Sequence, residues 1–194
     1  MHLKSQGKQE RSRRTIQNIL DAALQVLIDE GFERSTTNRI ADKAGYSVGT
    51  LYQYFEDKDD IYGKIVDQAL LKMTDSAEAL EAKPSLMETL QALFESVLAS
   101  MEADPAIIQA VESLLNGRFR EKRQAAYEAL VASTLRLLRA HRREITVDDL
   151  ELAASIIVAA TSGLANSNSA QMLESPKFLS HVLRLQFAYL TVDS

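Results

Sequence analysis

Residues 36–58, TTNRIADKAGYSVGTLYQYFEDK, leave this chain few choices of fold. Ile40, Ala41 and Ala44 are spaced three and four apart, which predicts a short amphipathic helix. Gly45 ends it, because glycine enters the left-handed C-terminal conformation without a Cβ clash. Ser47 offers its hydroxyl as the cap of a second helix over residues 48–55. On that helix Val48, Leu51 and Phe55 share one face, Ser47, Thr50, Gln53 and Tyr54 point away, and Tyr52 lies at the margin. So short a helix is not stable alone, so its apolar face must be held by neighbours. Its outer face then presents hydroxyls, an amide and phenols, groups that hydrogen-bond to phosphates and base edges. Two short helices, a glycine turn and an outward polar face make a helix-turn-helix, whose second helix enters the DNA major groove.

The whole stretch TTNRIADKAGYSVGTLYQYFEDKDDIY resembles the DNA-binding signature of the tetracycline-repressor (TetR) family of transcriptional regulators. The resemblance rests on the Thr-Thr opening, the Ile-Ala pair, the Ala-Gly turn, Ser47 followed by Gly-Thr-Leu-Tyr, and Tyr54-Phe55 ahead of an acidic cap and Lys58. Beyond this motif and the helix before it, the chain matches the family in length and helical pattern only.

A formal charge of −5 runs against nucleic-acid binding if taken as a whole. The charge is unevenly spread: residues 1–14 hold Lys4, Lys8, Arg11, Arg13 and Arg14 against Glu10 alone. DNA affinity depends on basic groups that reach phosphates, not on the net figure. The tail is either a disordered solubilising end or a phosphate-contacting arm, and the motif beside it favours the arm. Seven glycines and three prolines in 194 residues, with Ala, Leu, Glu and Arg abundant, predict an all-helical fold of about nine helices. No cysteine is present, which removes disulfides and thiolate metal sites and is compatible with a cytoplasmic location. The longest apolar run, residues 153–165, is broken by Ser155, Thr161 and Ser162, so no membrane span is expected.

Residues 1–10 are expected to be disordered, and a first helix over 11–30 carries the stripe Ile16, Ile19, Leu20, Ala23, Leu27 and Ile28. Gly31 ends it, and Phe32 should pack back onto the stripe. Arg14 lies near its start, where a phosphate can be met. Thr36 or Thr37 opens the next helix, as a cap or as a phosphate contact, and Arg39 is exposed on it. On the recognition helix Val48, Gly49, Thr50 and Tyr54 should face DNA, with Gly49 permitting close backbone approach. Ser47, Tyr52 and Gln53 complete the candidate set. The family resemblance implies a phosphate-contacting Tyr54, a core Leu51 and a phosphate-binding Lys58. Asp57 should cap the helix that follows, over residues 58–82. Residues 1–58 are read as the DNA-binding domain and 59–194 as a regulatory and dimerisation domain. With no glycine- or serine-rich spacer, the two should be rigidly coupled.

In the second part, Ser85 and Glu88 form a capping box, and the helix to residue 103 is apolar nearly all round. Further helices are expected over 105–116, 119–142 and 147–165, and from Ser175-Pro176 onward. The last is too broadly apolar for one buried face, so a second copy of the chain is its simplest partner. The family resemblance implies the same four-helix contact, with Ile157, Thr161, Leu164, Phe178, Val182, Leu185 and Tyr189 at the interface. Leu90, Phe94, Met101, Ile108, Leu115, Phe119 and Tyr127 are either plain core or the lining of a cavity for a small lipophilic effector. It is the resemblance that raises the cavity. Glu88, Glu95 and Glu102 recur every seven residues, as a solvated stripe or as acidic lining for a cation.

His2, His141 and His181 lack metal-ligand spacing, and no phosphate-cradling glycine loop or nucleophile elbow occurs. No catalytic residue, metal or cofactor is expected, and the chain is not read as an enzyme. The expected function is a ligand-responsive repressor binding a palindromic double-stranded DNA operator as a homodimer. A helical protein-interaction module without DNA binding, or a helical enzyme with scattered site residues, are the alternatives.

Overall fold

The computed structural model describes residues 2–100, 105–166 and 176–192. Among these lie nine helices and no strand, so the fold is all-α. They are α1 (His2–Glu30), α2 (Thr37–Ala44), α3 (Val48–Leu51), α4 (Lys58–Ala79), α5 (Leu86–Ser100), α6 (Pro105–Asn116), α7 (Arg120–Ala140), α8 (Leu150–Asn166) and α9 (Pro176–Thr191). No helix among the described residues is long and apolar enough to cross a membrane.

Local chemistry sets most of the boundaries. Gly31 and Gly45 sit at φ 77° and 74°, the left-handed conformation that ends α1 and α2. Ser85 Oγ accepts the Glu88 N–H at 3.3 Å and donates to its carboxylate at 3.0 Å, closing the capping box of α5. Proline fills the first position of α6 and of α9, where its missing N–H is no loss.

Three boundaries differ from expectation. Residues 2–10 extend α1 instead of fraying. Once a helix is nucleated, each further straight-chain residue adds a hydrogen bond for one residue ordered, and Leu3, Lys4, Gln6, Lys8, Gln9 and Glu10 are of that kind. Helix α4 stops at Ala79, three residues early, because Arg136 donates to the carbonyls of Glu78 (3.0 Å) and Leu80 (2.8 Å) and satisfies that helix end. Helix α8 starts at Leu150, since the Asp149 carboxylate accepts the Leu152 N–H at 2.8 Å and acts as the cap, not as a first-turn residue.

The chain forms two compact units: Met1–Ala69 with Ala103–Arg123, and Leu70–Glu102 with Gln124–Ser194. Two of the three divisions fall inside α4 and α7, and the third, between residues 102 and 103, lies outside the described residues. In the first unit Ile19, Leu20, Ala23, Val26 and Leu27 of α1 are buried with Ile40 and Ala41 of α2, Leu51, Phe55, and Ile61, Tyr62, Ile65 and Val66 of α4. Helix α6 lies against α1 in this unit and buries Val111, Leu114 and Leu115.

The second unit is centred on Leu86, Leu90, Phe94, Leu137, Leu138, Ala153, Ala154, Ile157, Val182, Leu183 and Leu190, drawn from α5, α7, α8 and α9. A buried polar link ties the end of α7 to the start of α5. Thr89 Oγ1 lies 2.8 Å from His141 Nε2, His141 Nδ1 lies 2.7 Å from the Glu144 carboxylate, and that carboxylate accepts the Leu86 N–H at 3.2 Å. The His141 contact, aided by the Leu86 N–H, holds the Glu144 carboxyl below the usual carboxylate range.

Candidate nucleic-acid interface

The turn and its two helices are braced by their own polar groups. Thr36 caps α2, its hydroxyl accepting the Arg39 N–H at 3.3 Å. Ser47 caps α3, accepting the Thr50 N–H at 3.1 Å, and its hydroxyl meets that of Thr50 at 2.9 Å. Helix α3 is regular for only four residues. Beyond Leu51 the chain tightens, with Gln53 N–H on Thr50 O at 3.2 Å and Tyr54 N–H on Leu51 O at 3.0 Å. The expected eight-residue helix is thus one turn of α-helix and a tightened tail. Its inner face is as anticipated: Leu51 is fully buried and Phe55 nearly so.

The outer side carries Ser47, Gly49, Tyr52 and Gln53 exposed, with Val48, Thr50 and Tyr54 half-buried. Tyr52, expected at the margin, is 54% exposed, and its hydroxyl meets that of Thr37 at 3.2 Å, joining α3 to α2. A Cβ on Gly49 would meet only Ser47 Oγ, at an ordinary 3.8 Å. Nothing in its own chain therefore requires a glycine there, whereas a duplex backbone brought close to α3 would.

Two expected phosphate ligands have protein partners. Arg39 is ion-paired with Glu30. Lys58 donates from Nζ to the carbonyls of Phe32 (3.0 Å) and Ser35 (3.3 Å) and lies 4.3 Å over the Phe32 ring. An ammonium has three donors, so two are committed to the turn after α1. Arg14 is exposed on α1.

Phe32, expected to pack onto the α1 stripe, also meets α4. Its ring stands edge-on to Tyr62 of α4, with centroids 5.3 Å apart, and the Arg118 guanidinium, paired with Asp59, lies 5.9 Å from its centre. Sequence inspection passed over Tyr62, whose hydroxyl is a hub. It donates to Ala23 O at 3.1 Å and accepts from Ser35 Oγ at 2.6 Å, and burial raises its pKa above the usual phenol value. It also passed over Tyr46, which takes a 3.0 Å hydrogen bond from Asn18 and pins the glycine turn to α1. A tyrosine among isoleucines at the start of α4 was the available signal for the first. The second had none, because its partner is 28 residues away.

The other two candidate sets are redistributed. Leu90 and Phe94 belong to the core of the second unit, where Tyr127 donates to Ser155 O at 3.2 Å, while Ile108, Leu115 and Phe119 belong to the first. Met101 lies outside the described residues. The second unit holds a cavity of about 20 Å³ lined by Met73, Leu93, Val97, Leu130, Thr134, Ile157, Val158, Thr161 and Ser162. Leu93 and Val97 follow the expected pair Leu90 and Phe94 by three residues each, a net rotation of about 60° around α5, and an all-round apolar helix does not tell those faces apart. Of the expected dimer contacts, Ile157, Thr161 and Val182 are buried in their own chain and Phe178 packs on the same core. Leu185 and Tyr189 are exposed, and so are Leu152 and Ile156, which had not been singled out. The side chain of Leu164 lies outside the described residues.

Residues 19–65 match the bacterial regulatory proteins of the tetR family. The chain is 29% identical over 115 residues to an HTH-type transcriptional regulator of Staphylococcus aureus strain USA300, covering 59% of this chain and 62% of that one. It is 27% identical over 113 residues to a fatty acid metabolism regulator protein of Bacillus subtilis strain 168, covering 58% of each. The chain thus spans about three fifths of the length of these relatives. Its fold is similar to that of SmeT, the repressor of the Stenotrophomonas maltophilia multidrug efflux pump SmeDEF, solved with triclosan, at TM-score 0.75 and 22% identity over 93% of both chains. These relatives are regulators, not enzymes. Residues 19–65 thus form a helix-turn-helix similar to that of the bacterial regulatory proteins of the tetR family, its inner face buried and its outer face polar.

Proposed function

We propose that the protein binds an operator in double-stranded DNA as a homodimer and releases it when a small lipophilic molecule occupies the second unit. The observation that carries this is α3: a helix of four residues, stable only because Leu51 and Phe55 anchor it, that turns hydroxyls and a bare glycine backbone outward. Residues 1–58 read the DNA, with phosphates met by Arg14, by the Thr36–Thr37 end of α2 and by Tyr54. Residues 59–194 regulate and dimerise. The partner copy covers Leu152 and Ile156 of α8 and Leu185 and Tyr189 of α9, large apolar side chains left in water within one subunit. A twofold axis then presents two α3 helices to half-sites about 34–36 Å apart or a multiple of it.

Selection from a random-sequence duplex pool tests this. The expected product is a palindromic consensus bound by a dimer, with affinity that falls steeply as salt rises. Enrichment of no sequence, with binding that is weak and indifferent to Thr50→Ala and Tyr54→Ala together, rejects it in favour of an interaction module.

A further inference from the structure

The outermost line of α3 carries a single side chain. At about 100° per residue, Gly49 lies about 160° and Gln53 about 200° around the axis from the buried Leu51. In the tightened tail the step is nearer 120°, which leaves Gln53 at about 240° and still outward. Gly49 presents bare backbone, so the exposed Gln53 stands highest on this crest. Its backbone N–H is spent on Thr50 O, but its side-chain amide makes no hydrogen bond to any described residue.

The polar groups around it are committed. Ser47 Oγ accepts the Thr50 N–H and meets the Thr50 hydroxyl, and the Tyr52 hydroxyl meets that of Thr37. Asn18 spends its amide on Tyr46. Asn38 is exposed and has no side-chain partner among the described residues, but it lies in the first turn of α2, and the first helix of such a pair crosses the phosphate backbone. A free primary amide sets an acceptor beside a donor. In the major groove adenine shows the complement of that pattern, the N7 acceptor beside the N6 amino donor. Guanine shows two acceptors, which would set the amide carbonyl against O6 or N7. Cytosine offers one donor, and thymine one acceptor beside its methyl. Adenine alone is met by both ends of the side chain.

We propose that Gln53 is the residue through which α3 reads base identity, and that the base is adenine. Its amide donates to N7 and accepts from the N6 amino group of one adenine in each half-site. The proposal rests on the DNA-binding reading above and supplies part of its operator. Gly49 is the other half of the device: bare backbone one turn before Gln53 lets α3 settle close enough for an amide on a two-carbon stem to reach the base edge.

Duplex selection followed by affinity measurement tests this on the full chain and on Gln53→Ala, Gln53→Glu and Gly49→Ala. The unaltered chain should enrich a palindrome with one fixed A·T pair in each half. Exchanging that pair for G·C in one half-site should weaken binding about tenfold or more. Gln53→Ala should lose the preference at that pair and at no other, with an unchanged Tm, since its side chain gives up no hydrogen bond within the protein. Gln53→Glu, an acceptor only, should move the preference to cytosine. Gly49→Ala should weaken every duplex while the Tm holds or rises, because alanine favours the helix and meets nothing closer than 3.8 Å. A phosphate-contacting or structural Gln53 predicts that Gln53→Ala weakens all duplexes alike and leaves the consensus intact, and that result overturns the proposal. So does Gly49→Ala binding as tightly as the unaltered chain. The two readings fail differently. If the unaltered chain enriches no palindrome, DNA recognition falls and this proposal with it. If it enriches one whose every base preference survives Gln53→Ala, DNA recognition stands and this proposal alone falls.

Discussion

On α3 and its flanks the side chains turned outward are Ser47, Tyr52 and Gln53; on α8 and α9 they are Leu152, Ile156, Leu185 and Tyr189. The first set is already ordered by hydrogen bonds within the chain, Ser47 to Thr50 and Tyr52 to Thr37, and remains well solvated. The second has nothing comparable, because an apolar side chain gains only by leaving water, about 25 cal/mol per Å². A polar face can wait in solution for a partner. An apolar one gains free energy whenever it is covered, so the two faces differ in how strongly they favour association. On the proposed function, the polar face makes a reversible encounter with DNA and the helix pair a standing one with a second copy.

The sharpest way to break that contrast is Leu185→Glu. Leu185 is 68% exposed, so the subunit should fold unchanged, while a charge in the proposed interface weakens the dimer on the order of a thousandfold, about 4 kcal/mol. Sedimentation should then report a monomer at concentrations where the unaltered chain is a dimer. An unchanged dimer moves the interface elsewhere.

Next in size is Leu51→Ala. Removing the fully buried anchor of α3 should cost about 2–5 kcal/mol, read as a lower urea midpoint, and should abolish DNA binding with it. Full DNA affinity in this variant would mean that α3 is not held from beneath.

Lys58→Met sharpens the account of the polar face. With its ammonium on the Phe32 and Ser35 carbonyls, Lys58 braces the turn between α1 and α2. Affinity should fall about tenfold while the slope of log affinity against log salt stays as it was. Arg14→Ala, removing the proposed phosphate contact, should lower that slope by about one. A slope that falls by one for Lys58→Met returns it to the phosphate ligands.

The smallest effect lies in the second unit. The Glu144 carboxyl is held below its ordinary range, so its contribution to stability is present above the unfolded-state pKa, about 4.3, and is lost as pH falls through the folded value. Glu144→Gln should lower the urea midpoint slightly at neutral pH. The gap should close in acid below the ordinary carboxylate range. A gap that persists there places the effect outside this ionisation.

Much of this was legible before any coordinates. The turn at Gly45, the caps Ser47 and Thr36, the capping box of Ser85 and Glu88 and the proline starts are each written within a few adjacent residues, and each appears as expected. The candidate sites were less legible wherever the decision lay between faces of one helix. Phe32 carries no mark that says its ring meets Tyr62 of α4. Ile157 and Ile156 differ by one residue, yet the first is buried in its own chain and the second stands in water.

The sequence by itself determined the helices, their ends and the family of the DNA-binding unit, because caps, breakers and apolar periodicity act over one or two turns. Tertiary structure alone decided what Lys58 and Arg39 hold, that Tyr62 is a hub, and which residues line the cavity of the second unit. Those outcomes depend on groups distant in the chain, 9 residues apart for Arg39 and Glu30 and 39 for Tyr62 and Ala23, meeting through packing, and packing is a property of all the neighbours at once.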